Sequence, residues 1–340
     1  MASAGFAPTT TALSIRDWLE VVRTEYLEEF VPEGGAAVKF VVCDNPATRA
    51  ELRQGLRELA EAKGFRFAFV DATSTRVHMM DKLFHEVARQ VDWDALARSF
   101  LARLLAENGY RLPAGPDALQ LRRIAELNDV PEPQLRLEVT RWLWNGLFRD
   151  YRMSQEFRLA MIRLCRAQLD PDDEPAVTSA VKEWLRGELR LISAVKRALI
   201  FQKIARHNAR HMLFSLAHWL RLAGENGLVL GLDVERCAEA VRPADRDGSV
   251  YYSSPAALDA YEVLRQLVDA TDELESAFVG VLAGSGFSSD ARRGLDSYRA
   301  LYYRIADDVR DRYRPNPLAA LVRVAPNGGR WTLDDSGARR

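Results

Sequence analysis

Lysine is scarce in this chain: of 47 cationic side chains 6 are lysines and the remaining 41 are arginines. A nuclease centre built on paired carboxylates and a lysine has little to draw on, and no such grouping stands at nuclease spacing. Cysteine is scarcer still. Cys43, Cys165 and Cys237 lie far apart and form no CxxC pair, so neither a disulfide framework nor a zinc knuckle is indicated and a reducing compartment is expected. No apolar run approaches the length of a membrane span, and the small, polar stretch 1–13 lacks the charged-then-apolar pattern of a signal peptide. We expect a cytoplasmic protein with no membrane partner. Net charge is also nearly missing, at −1, which excludes a globally basic nucleic-acid coat while leaving room for a local basic face.

The most informative absence lies between 38 and 52. Val38 to Val42 reads as a buried strand, Asp44 to Pro46 as a tight turn, and the residues from Ala47 to about Lys63 as a helix. Strand, turn and helix are the geometry of a phosphate-binding loop, in which backbone N–H groups and a helix N-terminus cradle phosphates. Such a loop needs glycines where backbone meets phosphate, a lysine for the β- and γ-phosphates and a Ser/Thr hydroxyl for Mg²⁺. Here those places hold Cys43, Pro46, Ala47, Thr48, Arg49 and Ala50. The scaffold is present and its chemical equipment is missing.

What is present is ample material for a core, with 340 residues of which 48% are hydrophobic. Ser14 is placed to cap a helix over 15–30, which Pro32-Glu33-Gly34-Gly35 stops. Strand 37–42, the amphipathic helix 47–63 and an alternating strand 65–71 form a βαβ unit. Between Met79 and Gly224 no strand is expected. Helical periodicity runs over 83–91, 93–108, 117–127, 133–148, 155–169, 176–185 and 192–222. Gly227 to Asp233 is then an apolar strand that delivers a carboxylate to its C-terminal end. A polar loop over 236–252 carrying Pro243, Asp245 and Asp247, a helix over 255–271, a buried strand 277–283, a Gly284-Ser285-Gly286 turn, a helix near 296–312 and a short strand 318–324 complete the pattern. The expected organisation is a flexible tail 1–13, an α/β core over 14–91 and 225–325 interrupted by a helical insertion 92–224, and a second flexible tail 326–340.

Several segments in this order resemble the BrxD type of ATP-binding protein from BREX phage-defence systems, a P-loop family related to AAA+ ATPases. They are Gly64-Phe65 through Val70-Asp71 with Arg76-Val77-His78; Ala205 to Arg210 followed by Ser215 to Arg221; Gly227 to Asp233; Tyr261 to Asp269; Arg293-Gly294-Leu295 with Tyr298 and Ala300-Leu301; and Asn316-Pro317-Leu318. The resemblance spans roughly 36–325 and implies an α/β fold, a P-loop NTPase (AAA+-like) core with a mainly parallel sheet and a large all-helical insertion. It implies a nucleotide site at Asp44, Thr48, Arg49, Asp233 and Ser285. Asp233 would be the remnant of the metal-positioning acid, Arg49 stands where the lysine belongs, and Ser285 falls where a polar sensor follows the fourth strand. Val234 replaces the catalytic glutamate, and Glu235, one residue further along an extended chain, would point away. Arg292 or Arg293 would be the relic of an arginine finger. ATP and Mg²⁺ are cofactors only if this eroded loop still binds them.

Other features carry paired readings. Arg197, Lys203, Arg206 and Arg210 lie on what reads as one arginine-rich helix, either a DNA-backbone contact or a solvated face. His207, His211 and His218 share a helical face but lack further ligands for a metal. Trp142, Trp144, Phe148 and Tyr151 are either a docking surface or buried within the helices. Two functions are therefore expected in competition. The first is a non-hydrolysing structural or DNA-handling subunit of an anti-phage complex, with other defence subunits as partners. The second is an active ATPase whose site is completed on oligomerisation.

Overall fold

The computed structural model of the chain describes residues 11–43, 45–115, 119–170, 172–239, 248–306, 315–326 and 329–330. It divides into two compact units, one formed by Met1–Met79 with Gly227–Arg340 and the other by Met80–Asn226.

The first unit opens with strand β1, Thr11–Ser14, in a stretch expected to be loose. Ser14 then caps helix α1, Ile15–Val21, its hydroxyl accepting the Asp17 N–H at 3.0 Å, and the helix runs on as a π-helical turn over Val22–Leu27. Strand β2, Ala36–Cys43, is an almost unbroken apolar run because it has a neighbour on each side. Helix α2, Pro46–Ala62, follows at once, with proline at its first position, where a missing N–H costs nothing. Its Leu52, Leu56 and Ala60, four residues apart, are fully buried. Strand β3 is Arg66–Asp71.

The second unit is helical: α3 Met80–Arg89, α4 Trp93–Glu107, α5 Leu121–Asn128, α6 Glu132–Leu143 with a π-helical turn Trp144–Phe148, α7 Gln155–Leu169, α8 Pro175–Arg186, a 3₁₀ turn Ile192–Ala198 and α9 Arg206–Leu222. It contains no strand among the described residues. Trp93, Phe157, Trp184 and Trp219 are buried in it. The helix expected over 192–222 is in fact two elements. Leu199 turns left-handed, at φ 60°, and ends the 3₁₀ turn, and an irregular stretch then leads to α9.

The first unit resumes with β4 Leu228–Asp233, α10 Glu235–Ala238, α11 Ser254–Asp269, β5 Ala277–Ala283, α12 Ser285–Ser289, α13 Arg299–Ile305, β6 Leu321–Ala325 and β7 Gly329–Arg330. Two expectations change here. The 284–286 turn is the entry to α12, and part of the expected tail, β7, joins the sheet. Pro243, Asp245 and Asp247 of the expected polar loop, and the end of the helix expected near 296–312, lie outside the described residues.

The sheet order is β3-β4-β5-β2-β6-β1-β7. Neighbouring strands pair in parallel except β7, which is antiparallel to β1. This is an α/β sheet of the P-loop NTPase kind, with β4 and β5 standing between the strands β2 and β3 that α2 connects. One face is covered by α1 and α2 in a cluster containing Trp18, Leu52, Leu56, Val41, Phe278 and Leu282. Burying each such side chain stabilises the fold by about 2 kcal/mol. On the other face Phe40 stacks on Phe287 of α12 at 6.1 Å, and Tyr261 of α11 meets the same ring edge-on. Parallel pairing has one consequence for function: β2, β5 and β4 all end at the same rim of the sheet, where a parallel α/β fold places its site.

Candidate functional site

Strand β2 ends at Cys43 and α2 begins at Pro46, so only two residues join them. Asn45 is an extended N-cap whose carboxamide oxygen accepts the Thr48 N–H at 2.9 Å, and its carbonyl accepts the Arg49 N–H at 3.2 Å. Pro46 has no N–H to give. Of the donors that this helix end would turn to a phosphate, the one at Pro46 is missing and the one at Thr48 is taken by the cap. Thr48 is buried, its hydroxyl held by Asn45 at 3.2 Å, and Asp44 lies outside the described residues.

Arg49 leaves the first turn of α2 and crosses the rim to the end of β4. Its Nε donates to Asp233 Oδ2 at 3.2 Å, and its Nη1 lies 3.8 Å from Glu235 Oε2. Glu235 does not turn away. The chain stops being extended at Val234, φ −112° and ψ 9°, and α10 begins, so that the Glu235 N–H bonds Asp233 Oδ1 at 3.0 Å and both carboxylates face Arg49. Glu235 Oε2 also accepts the backbone N–H of Gly284, the residue after β5. A Cβ on Gly284 would sit 2.2 Å from that carboxylate oxygen, so a larger residue there would displace the Glu235 side chain. One guanidinium, two carboxylates and one backbone N–H thus tie together the ends of three strands. The alternation rule for strands missed Glu235. The signal available was the Asp233 side chain, which can hold the N–H two residues on and turn the chain.

Burial pushes both Asp233 and Glu235 above the ordinary carboxylate range. Arg49 opposes this in each case without reversing it, while Asp71 adds to the rise at Asp233 and both Asp233 and Glu239 add to the rise at Glu235. The side chains are 15 to 24% exposed, so the cluster is half-sheltered rather than sealed.

The remaining expected residues have other bonding partners. Ser285 is half-buried at the start of α12, where its carbonyl accepts the Ser288 and Ser289 hydroxyls at 3.2 and 2.8 Å. Arg293 is no finger: it is 8% exposed and its Nη2 donates inward to the carbonyls of Cys237 and Tyr252, at 3.3 and 2.6 Å. Arg292 is exposed.

In the helical unit, the four cations assigned to one helix belong to three segments. Arg197 sits on the 3₁₀ turn and pairs with Glu174 at 2.9 Å. Lys203, in the irregular stretch, donates to the Arg190 carbonyl at 3.3 Å, while Arg206 and Arg210 open α9. His218 bonds Asp150 at 2.7 Å in the interior, and among the described residues no group of His, Cys, Asp and Glu is arranged to hold a metal. Trp144 and Tyr151 are 49% and 78% exposed, so burial does not account for the aromatic cluster. No described helix is long and apolar enough to cross a membrane.

Comparison with known proteins adds the family. None of the curated proteins and none of the solved structures matches this chain. The family model of the BREX system ATP-binding protein BrxC/D matches residues 20–326. An α/β sheet with an acid-lined rim, interrupted by a helical unit, is thus the form of a phage-defence protein, and the chain belongs to the BREX system ATP-binding protein BrxC/D family.

Proposed function

We propose that this chain is a non-hydrolysing subunit of a multi-subunit BREX defence complex, a P-loop homologue whose rim is held by its own charges in place of nucleotide and metal. The observation that carries the reading is the position of Arg49. In an ATPase a lysine and Mg²⁺ neutralise the phosphates, with the carboxylate at the end of the neighbouring strand holding the metal. Here Arg49 spends its guanidinium on Asp233 and Glu235. ATP fits these residues poorly: the residues between β2 and α2 include no glycine, Pro46 offers no N–H, and the Asn45 side chain takes the N–H of Thr48. A nucleotide would have to displace that cap and would meet two carboxylates without a lysine.

The helical unit supports a DNA-handling role. Residues 189–224 contain no Asp or Glu and seven Lys and Arg. Arg190, Lys196, Arg197, Lys203 and Arg206 are exposed, a composition suited to backbone phosphates.

Calorimetry of the purified chain with ATP and Mg²⁺, beside Arg49→Ala, tests the first part. The expected outcome is no heat of binding up to millimolar ATP. Micromolar binding that disappears in Arg49→Ala would overturn the reading and make the chain an ATPase completed by a partner.

A further inference from the structure

The helical unit carries a second surface, independent of both the rim and the basic stretch. Helix α6 ends in a π-helical turn, a local widening that in proteins often marks functional positions. On it Trp144 and Phe148 lie nearly parallel, 4.0 Å between centroids and 19° between planes. Phe148 is half-buried and Trp144 is 49% exposed, so the indole is held from behind by one ring and presents its other face to solvent. Tyr151, three residues on, is 78% exposed. Its ring is backed by the guanidinium of Arg158, 4.9 Å from its centroid and 5.4 Å from that of Phe148. Arg158 is itself 6% exposed, donates to the Phe148 carbonyl, and has an Nε–H with no acceptor. A buried cation thus fixes two aromatic planes instead of pairing with an acid.

The charge around these rings selects the partner. Between 141 and 158 there are four arginines and two acids. Of the acids, Asp150 is bound by Arg152 at 3.0 Å and by His218 at 2.7 Å. Burial pushes its carboxyl up, but those hydrogen bonds outweigh burial and hold it below the ordinary value. Glu156 is half-buried at the start of α7, whereas Arg141 and Arg149, which flank the rings, are exposed. An apolar protein partner would gain nothing from those flanking cations. A chain with a planar apolar group and a negative charge at every repeat uses both.

We propose that Trp144, Phe148 and Tyr151 form a stacking platform for unpaired bases of single-stranded nucleic acid, with Arg141 and Arg149 beside its phosphates. Stacking on aromatic faces is tolerant of sequence and unavailable to bases held within a duplex.

The test uses the full chain and fluorescence anisotropy with labelled dT20, rU20 and a 20-base-pair duplex. The double variant Trp144→Ala/Tyr151→Ala should weaken single-strand binding about tenfold or more and change duplex binding less than about twofold. Trp144→Phe should bind like the unchanged chain, and Trp144→Leu should not. Comparing dT20 with rU20 tells whether the strand is DNA or RNA. These side chains face solvent, so unchanged circular dichroism is expected for every variant. The proposal falls if the unchanged chain binds neither single strand, if the double variant binds as before, or if Trp144→Leu binds as well as Trp144→Phe, the mark of an apolar docking site. A Lys203→Ala/Arg206→Ala variant, with the loss expected on the duplex, reports separately on the basic stretch.

Discussion

At the scale of single residues, the chain turns on Arg49. A lysine at this position would offer a point charge to phosphate, whereas the planar guanidinium presents donors to two carboxylates at once. Removing it leaves Asp233 and Glu235 side by side and half-sheltered. We expect Arg49→Ala to lower stability at pH 7 by about 2 kcal/mol, less than for a fully buried pair because water reaches the site. The pH dependence has a definite sign. Both carboxyls lie above their ordinary values in the folded chain, so their protonated forms favour the fold. That contribution is fully present below the ordinary carboxylate range and is lost as pH rises through the folded values. Without Arg49 those values rise further, so the deficit measured by urea unfolding should be full where both carboxyls are ionised and shrink as the pH falls through their raised values. Adding Asp233→Asn and Glu235→Gln should recover part of it, and a deficit independent of pH would show that Arg49 acts through packing alone.

At the scale of elements, the sheet depends on how its central strands begin as much as on how they end. Gly227 precedes β4 at φ +128°, and a Cβ there would meet the Ser276 carbonyl at 2.1 Å. That carbonyl accepts the Leu228 N–H at 2.9 Å, while the Gly227 carbonyl accepts the Arg66 N–H at 3.0 Å. One glycine therefore sets the register of β3, β4 and β5 at their starts. Gly227→Ala should cost about 2–3 kcal/mol through backbone strain and a displaced neighbour, read as a lower midpoint of unfolding. Because registers at the starts propagate to the rim, the same variant should disturb the Arg49 cluster, visible as altered exchange of the Gly284 amide. In the helical unit the corresponding decision is Leu199, whose left-handed backbone separates the 3₁₀ turn from α9 and distributes a stretch that reads as one basic helix over three segments.

At the scale of the whole molecule, two cores are built from one chain. The helical unit has its own buried aromatics, with Phe157 edge-on to Trp93 at 6.1 Å and itself without exposed surface. Phe157→Ala should cost about 3–5 kcal/mol, and the loss should be local. Hydrogen exchange should show reduced protection over 80–226 with β2, β4 and β5 unchanged. Equal loss in both units would mean that they unfold as one.

The sequence by itself determined the elements with strong internal logic. Strands β2, β4 and β5 are apolar runs bounded by turn residues, and α2 has its capping asparagine, N-terminal proline and four-residue spacing of buried leucines. The family was also legible there, since ordered segments persist where the phosphate loop does not. What the tertiary structure alone decided is where distant groups meet. Strand order placed Arg49 and Asp233, 184 residues apart, at one rim, which no local pattern encodes. The turn at Val234 brought Glu235 back against the two-residue alternation of a strand, because a hydrogen bond from its own N–H to the Asp233 carboxylate outweighed continued extension. Exposure was likewise undecided by sequence: a run of Trp, Phe and Tyr suits a core as well as a surface, and only packing of the helical unit left Trp144 and Tyr151 facing water.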